Sequence, residues 1–108
     1  MDTIKILTDY AVDFEYEKLP EKTIKHIKAL LTDTIGCIIS GSREDGIKGI
    51  INLVDFWGGK QQSSIFSFDK KTSAPYAAFL NSVMGHANDF DDTHDPAFEC
   101  VNSTLGVA

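Results

Sequence analysis

After Lys71 the chain carries no lysine or arginine. An anionic ligand held by its last 37 residues must therefore take its cations from elsewhere, because opposite charge is what attracts and orients such a ligand. The formal charge is -6 and the isoelectric point is near 4.8. No basic stripe and no interleaved aromatic platform offsets that balance, which argues against nucleic acid as a partner. No run of eighteen apolar residues exists to cross a membrane, and the opening MDTIKILTDYAVDFEYE mixes charged with apolar residues too closely for a signal peptide. These absences predict a soluble, cytoplasmic protein without a membrane partner. Cysteine is scarce as well: Cys37 and Cys100 lie far apart and lack the pattern of a zinc site. Cys37 sits in an apolar helical stretch, where a cysteine behaves as a small hydrophobe. No metal or cofactor is expected from these residues.

What is present suffices for one modest core. The chain has 108 residues, 43% of them hydrophobic, which is a single domain's worth at most. Its most unusual stretch is GHANDFDDTHDPAFE, residues 85–99. Asp89, Asp91, Asp92, Asp95 and Glu99 gather there with His86 and His94. Neighbouring like charges repel, which costs stability and moves carboxyl pKa values toward the range useful for proton transfer. The competing reading is a solvated acidic loop, since charge runs are common on surfaces.

The rest reads as helices. Thr3 can cap a first, core-facing helix with Ile4, Leu7, Ala11 and Phe14 on one side, ending before Leu19. Pro20 suits the first turn of a second helix, with Glu21 near its positive end. Its stripe runs through Ile24, Ile27, Leu31, Ile35 and Ile38, widened by Leu30 and Ile39, and it stops near Ser40 and Gly41. A third helix, opened by Ser42 or Asp45, carries Ile47, Ile50, Ile51, Val54 and Trp57 and ends at Gly58-Gly59. Residues 64–68 form a short β-prone run, a small strand or hairpin edge. Ser73 then caps a fourth helix with Pro75 in its first turn and Tyr76, Phe79, Leu80, Val83 and Met84 as core candidates. Residues 101–108 resemble the start of another apolar helix that does not close, which predicts a fragment of a larger protein.

If the fourth helix continues through Asp92, His86, Asp89 and Thr93 share one stripe while Asp91 and Asp95 project from another. That places an imidazole, a carboxylate and a hydroxyl together. Pro96 disfavours helical conformation at Asp95, so the helix is expected to end there. A neutral carboxyl can then act as acid and an ionised neighbour as base. The blander alternatives are a packing histidine at His86, local backbone bonding by Asp89 and Thr93, and a surface pair of His94 with Asp95. Two metal templates fit poorly. Counted from Asp89, an EF-hand loop needs glycine and glutamate where His94 and Cys100 stand. Residues 91–95, DDTHD, match the spelling of magnesium-dependent prenyl-diphosphate enzymes, but Pro96 spoils the mid-helix setting, and no second acidic motif is present.

Five stretches together resemble the N-terminal part of the MmgE/PrpD family, which includes 2-methylcitrate dehydratase, cis-aconitate decarboxylase and iminodisuccinate epimerase. They are Leu19-Pro20, LLTDTIGCIISGS (30–42), Trp57-Gly58-Gly59, SAPYAAFLNS (73–82) and GHANDFDDTHDP (85–96). Their order and distances make the match specific. The resemblance implies an all-α domain, completed in longer members by an α/β lid and a return of the chain, so that residues 1–108 form an incomplete N-terminal helical domain. It implies homodimerisation and a small polycarboxylate substrate. It also matches Asp89 and Thr93 to active-site residues of the decarboxylase branch, with Asp91, Asp92 and His94 completing the signature. A family histidine expected soon after is missing: without gaps its place falls on Glu99, and with a two-residue insertion on Val101.

The expected activity is accordingly that of a lyase or isomerase on polycarboxylates, with the isolated chain inactive. Asp89 and His86 are the candidates for acid–base or positioning roles, Thr93 for a hydrogen bond to substrate, and Asp91, Asp92 and His94 for support. The alternatives are a non-catalytic remnant or self-associating helical module and, behind it, a magnesium-diphosphate site on DDTHD.

Overall fold

The computed structural model describes residues 2–91, 93–94 and 99–100. The expectations for Asp92, Asp95, Pro96 and the helix start at 101–108 lie outside them. The chain is all-α in class: helices α1 (Thr3–Val12), α2 (Glu21–Gly41), α3 (Ile47–Trp57) and α4 (Ala74–His86) carry it, with a short 3-10 turn at Tyr16–Lys18. The β-prone run is half of a hairpin, β1 (Ser63–Ile65) against β2 (Lys70–Thr72), antiparallel with Ser63 opposite Thr72. A two-residue pairing, β3 (Thr93–His94) with β4 (Glu99–Cys100), follows α4.

Helix α4 is the hub, since α2, α3 and both hairpin strands pack on it. The core joins Ile38 of α2, Ile47, Ile51 and Val54 of α3, Ile65 of β1, and Leu80 and Met84 of α4, with Ile50, Phe68, Tyr76 and Val83 at its margin. Burial of branched apolar side chains of this kind is what holds such elements together, at about 1.5–3 kcal/mol for each one fully buried. Trp57 stacks obliquely on Tyr76 with ring centroids 5.4 Å apart, and Lys70 of β2 pairs with Asp55 of α3.

One polar side chain of α4 also bonds to the hairpin backbone. Asn81, 6% exposed, accepts a hydrogen bond from the Phe66 backbone N–H at 3.0 Å and donates one to the Ser64 carbonyl at 3.3 Å. Replacing it with leucine leaves both backbone groups without that partner in a part-buried setting. Asn81→Leu is expected to lower unfolding stability by about 2–3 kcal/mol. Urea unfolding measures this, and a loss below about 0.5 kcal/mol, within the range of ordinary surface substitutions, means that the amide does not pin the hairpin.

Several sequence expectations shift. Asp2, not Thr3, caps α1, its carboxylate accepting from Ile4 and Lys5 N–H. Nor does α1 face the core: it has no buried residue, and Ile4 and Leu7 are 76% and 63% exposed. Its periodicity marks an apolar face, but no described element buries it. Pro20 stands just before α2 rather than within it. The face that α2 buries runs through Thr34, Cys37, Ile38 and Gly41, while Leu31 and Ile35 of the anticipated stripe are exposed. Helix α3 opens after Gly46, whose φ of 91° suits glycine and leaves no capping side chain, and Gly58 (φ 75°) ends it. Ser73 occupies the cap position of α4 without making a side-chain cap bond, and Phe79 points outward.

Candidate functional site

The site lies where α4 ends. The helix stops at His86 rather than continuing through Asp92, so the anticipated stripe of His86, Asp89 and Thr93 does not form. Instead the Asp89 N–H donates to the His86 carbonyl at 3.0 Å, and Asp89 adopts a left-handed backbone with φ 54°. Aspartate is among the few residues besides glycine that enter this region with some frequency. The reversal brings back toward the helix the side chain that helical geometry assigns to a different face. Asp91 Oδ1 lies 2.8 Å from His86 Nδ1.

The two partners differ in environment. The Asp91 side chain is 1% exposed, whereas that of His86 is 54% exposed. Asp91 Oδ2 has no hydrogen-bond partner among the described residues, so the imidazole is the contact that compensates this buried carboxylate. The hydrogen bond to Asp91 raises the His86 pKa above its ordinary value and the Asp91 charge adds to this; desolvation opposes the rise, and Asp89 contributes a smaller rise. The carbonyl end of α4 acts in the same direction by favouring positive charge. A second link ties the segment to the rest of the fold, Asn88 Nδ2 donating to Glu44 Oε1 at 2.7 Å.

His86, Asp89 and Asp91 each bring one donor atom within 4.8 Å of the others. His86 and Asp89 are exposed and Nδ1 is already engaged by Asp91. The arrangement is that of an imidazole–carboxylate pair with a flanking carboxylate, and it suits proton transfer better than a closed cation site. The diphosphate reading of residues 91–95 loses its helical setting, because Asp91 lies beyond the end of α4.

Thr93 and His94 form β3, opposite Cys100 and Glu99 respectively. The backbone thus sets Glu99 across from His94. Asp92 lies outside the described residues. The model of the MmgE/PrpD N-terminal domain matches residues 5–105. The chain belongs to the MmgE/PrpD family. No curated protein matches this MmgE/PrpD chain, and no solved structure does. Among the described helices none is long and apolar enough to cross a membrane.

Of the residues that the sequence singles out, the structure brings His86, Asp89 and Asp91 together. Helical spacing puts Asp91 among the supporting residues on a separate face, whereas in the structure it is the direct partner of His86. The available signal was Asn88-Asp89, a pair that favours turns and tolerates left-handed backbone, four residues after Met84.

Proposed function

We propose that this chain supplies part of the active site of an MmgE/PrpD-type lyase or isomerase acting on small polycarboxylates, with 2-methylcitrate-like and cis-aconitate-like acids as the substrate class. The observation that carries the reading is the His86–Asp91 pair with Asp89 beside it, within a chain that belongs to this family. Asp89 removes a proton next to a substrate carboxylate. The electron pair left behind expels the neighbouring hydroxyl, which takes up a proton and leaves as water, or the proton returns on the other face; where carbon dioxide leaves instead, the carbon retains an electron pair that must be protonated. Thr93 donates a hydrogen bond to substrate, and Asp92 and His94 support the site. The lack of lysine and arginine after residue 71 places the cations that would hold the substrate carboxylates outside this stretch, which agrees with a site completed by further chain.

The test is an assay of the protein that contains this chain, in deuterium oxide, with 2-methylcitrate, cis-aconitate and related acids. Product formation or deuterium entry next to a carboxylate is expected there, and neither from residues 1–108 alone. Appreciable turnover by the isolated piece contradicts the need for further chain, and the absence of both signals from the whole protein contradicts the enzyme reading. A second reading, a self-associating helical module, is favoured by one observation: α1 leaves Ile4, Leu7, Tyr10 and Val12 exposed. It becomes the better account if the whole protein neither turns over nor exchanges.

A further inference from the structure

A buried carboxylate, an exposed imidazole and the carbonyl end of a helix converge at one point in this fold. Asp91 is inaccessible and bonded to Nδ1, which leaves Nε2, without a hydrogen-bond partner among the described residues, on a ring more than half exposed. With Nδ1–H donating to Asp91, the neutral ring presents a lone pair at Nε2 and the charged ring presents a proton there. Three local features favour the charged ring: the Asp91 carboxylate, the nearby Asp89 and the end of α4. In a stretch without lysine or arginine, His86 is the imidazole whose side chain is described, and it can bring positive charge and a mobile proton to an anionic substrate.

We propose that Asp91 is a positioning residue that fixes His86 through Nδ1 so that the imidazolium serves as the proton donor of the site, opposite Asp89 as the proton acceptor. This rests on the reading of the site as a polycarboxylate lyase or isomerase and assigns the acid that the reading leaves open. In a dehydration, Asp89 takes the proton from carbon and the electron pair forms the new double bond. The neighbouring carbon–oxygen bond breaks, and the departing hydroxyl takes the Nε2 proton and leaves as water. In a decarboxylation the carbon that retains the electron pair after carbon dioxide leaves takes that proton instead. The ring is left neutral with hydrogen on Nδ1 and regains its proton from solvent. Among the described residues the charged groups acting on the ring are Asp91 and Asp89. From the α2–α3 side, Glu44 meets this segment at Asn88.

The experiment uses the whole protein and reads His86 in two ways. The first is an NMR titration of the imidazole in the wild type and in Asp91→Asn, assigned by its loss in His86→Gln. Asp91→Asn is nearly isosteric, and exposed His86→Gln serves as the second variant should the first not fold. The second is the pH dependence of kcat. The expected result is a His86 titration displaced to lower pH in Asp91→Asn, together with an equal displacement of the high-pH limb of kcat. A kcat about 10- to 100-fold lower with KM changed less than threefold is expected as well, consistent with loss of acid catalysis rather than of binding. In His86→Gln the high-pH limb disappears. An unmoved titration in Asp91→Asn overturns the positioning role, and a limb that stays in place in His86→Gln overturns the donor role. If the whole protein has no turnover at all, the proposed function fails and the donor role with it, while the titration still reports whether Asp91 fixes His86.

Discussion

Gly41→Ala is expected to lower unfolding stability by about 2–4 kcal/mol, a large part of the 5–15 kcal/mol that a domain has in total. A Cβ at this position lies 1.9 Å from the Met84 carbonyl oxygen, 2.9 Å from its carbon and 3.1 Å from Ala87 Cβ. The first two are backbone atoms of α4, so no rotamer change relieves them and the two helices must separate. Alanine gains about 1 kcal/mol over glycine in helix propensity, which is too little to offset that displacement. Because Met84 is in the last turn of α4 and its carbonyl accepts from Ala87 N–H, the movement also carries the turn that sets Asp89 and Asp91 around His86. Gly36 is the control on the same helix. Nothing lies within 4 Å of its added Cβ, so Gly36→Ala is expected to be neutral or stabilising by up to about 1 kcal/mol. Urea unfolding of the two variants side by side gives the answer, and equal midpoints mean that α2 and α4 do not approach as closely as Gly41 indicates.

That contact also shows where periodicity stops being informative. The extent of α2 and the start of α4 follow closely from apolar spacing and from Pro20, Ser73 and Pro75, because these features act within one element. Which face α2 buries depends on the partner. Close approach to the α4 backbone selects Thr34, Cys37 and Gly41 over the larger Leu31 and Ile35, and an apolar stripe has no means of representing that. The same limit applies to α1, where amphipathic spacing identifies a helix but not what lies against it. Asn81 is a further case. An asparagine within the fourth helix gives no local sign that two hairpin backbone groups are its partners. At the site, the residue types were legible from the acidic cluster and from the family resemblance. The geometry was not, since extending α4 by five residues moves Asp91 to the wrong face, and a single left-handed residue at Asp89 brings it back.

Asp89→Asn should separate chemistry from folding more sharply than any other substitution in the chain. Asparagine has nearly the same shape and tolerates left-handed backbone at least as well, so the turn closed by the Asp89 N–H on the His86 carbonyl is retained. The charge is lost, and with it the capacity to accept a proton. In the whole protein, kcat is expected to fall about 100- to 10,000-fold, the range for removing a positioned acid or base. Stability should change by no more than about 0.5 kcal/mol, as for other exposed positions. Two small electrostatic effects of opposite sign accompany the change, since the variant loses attraction to His86 and is relieved of repulsion from Asp91. Asp89→Gly sharpens the comparison. Glycine enters the left-handed region without the steric cost paid by residues with a Cβ, and this variant is expected to be as stable as the wild type or slightly more so, yet equally inactive. That outcome would show an aspartate kept at position 89 for chemistry rather than for folding. Steady-state kinetics and thermal unfolding of both variants decide between them: parallel loss of activity and stability makes Asp89 a structural residue, whereas loss of activity alone leaves it as the proton acceptor.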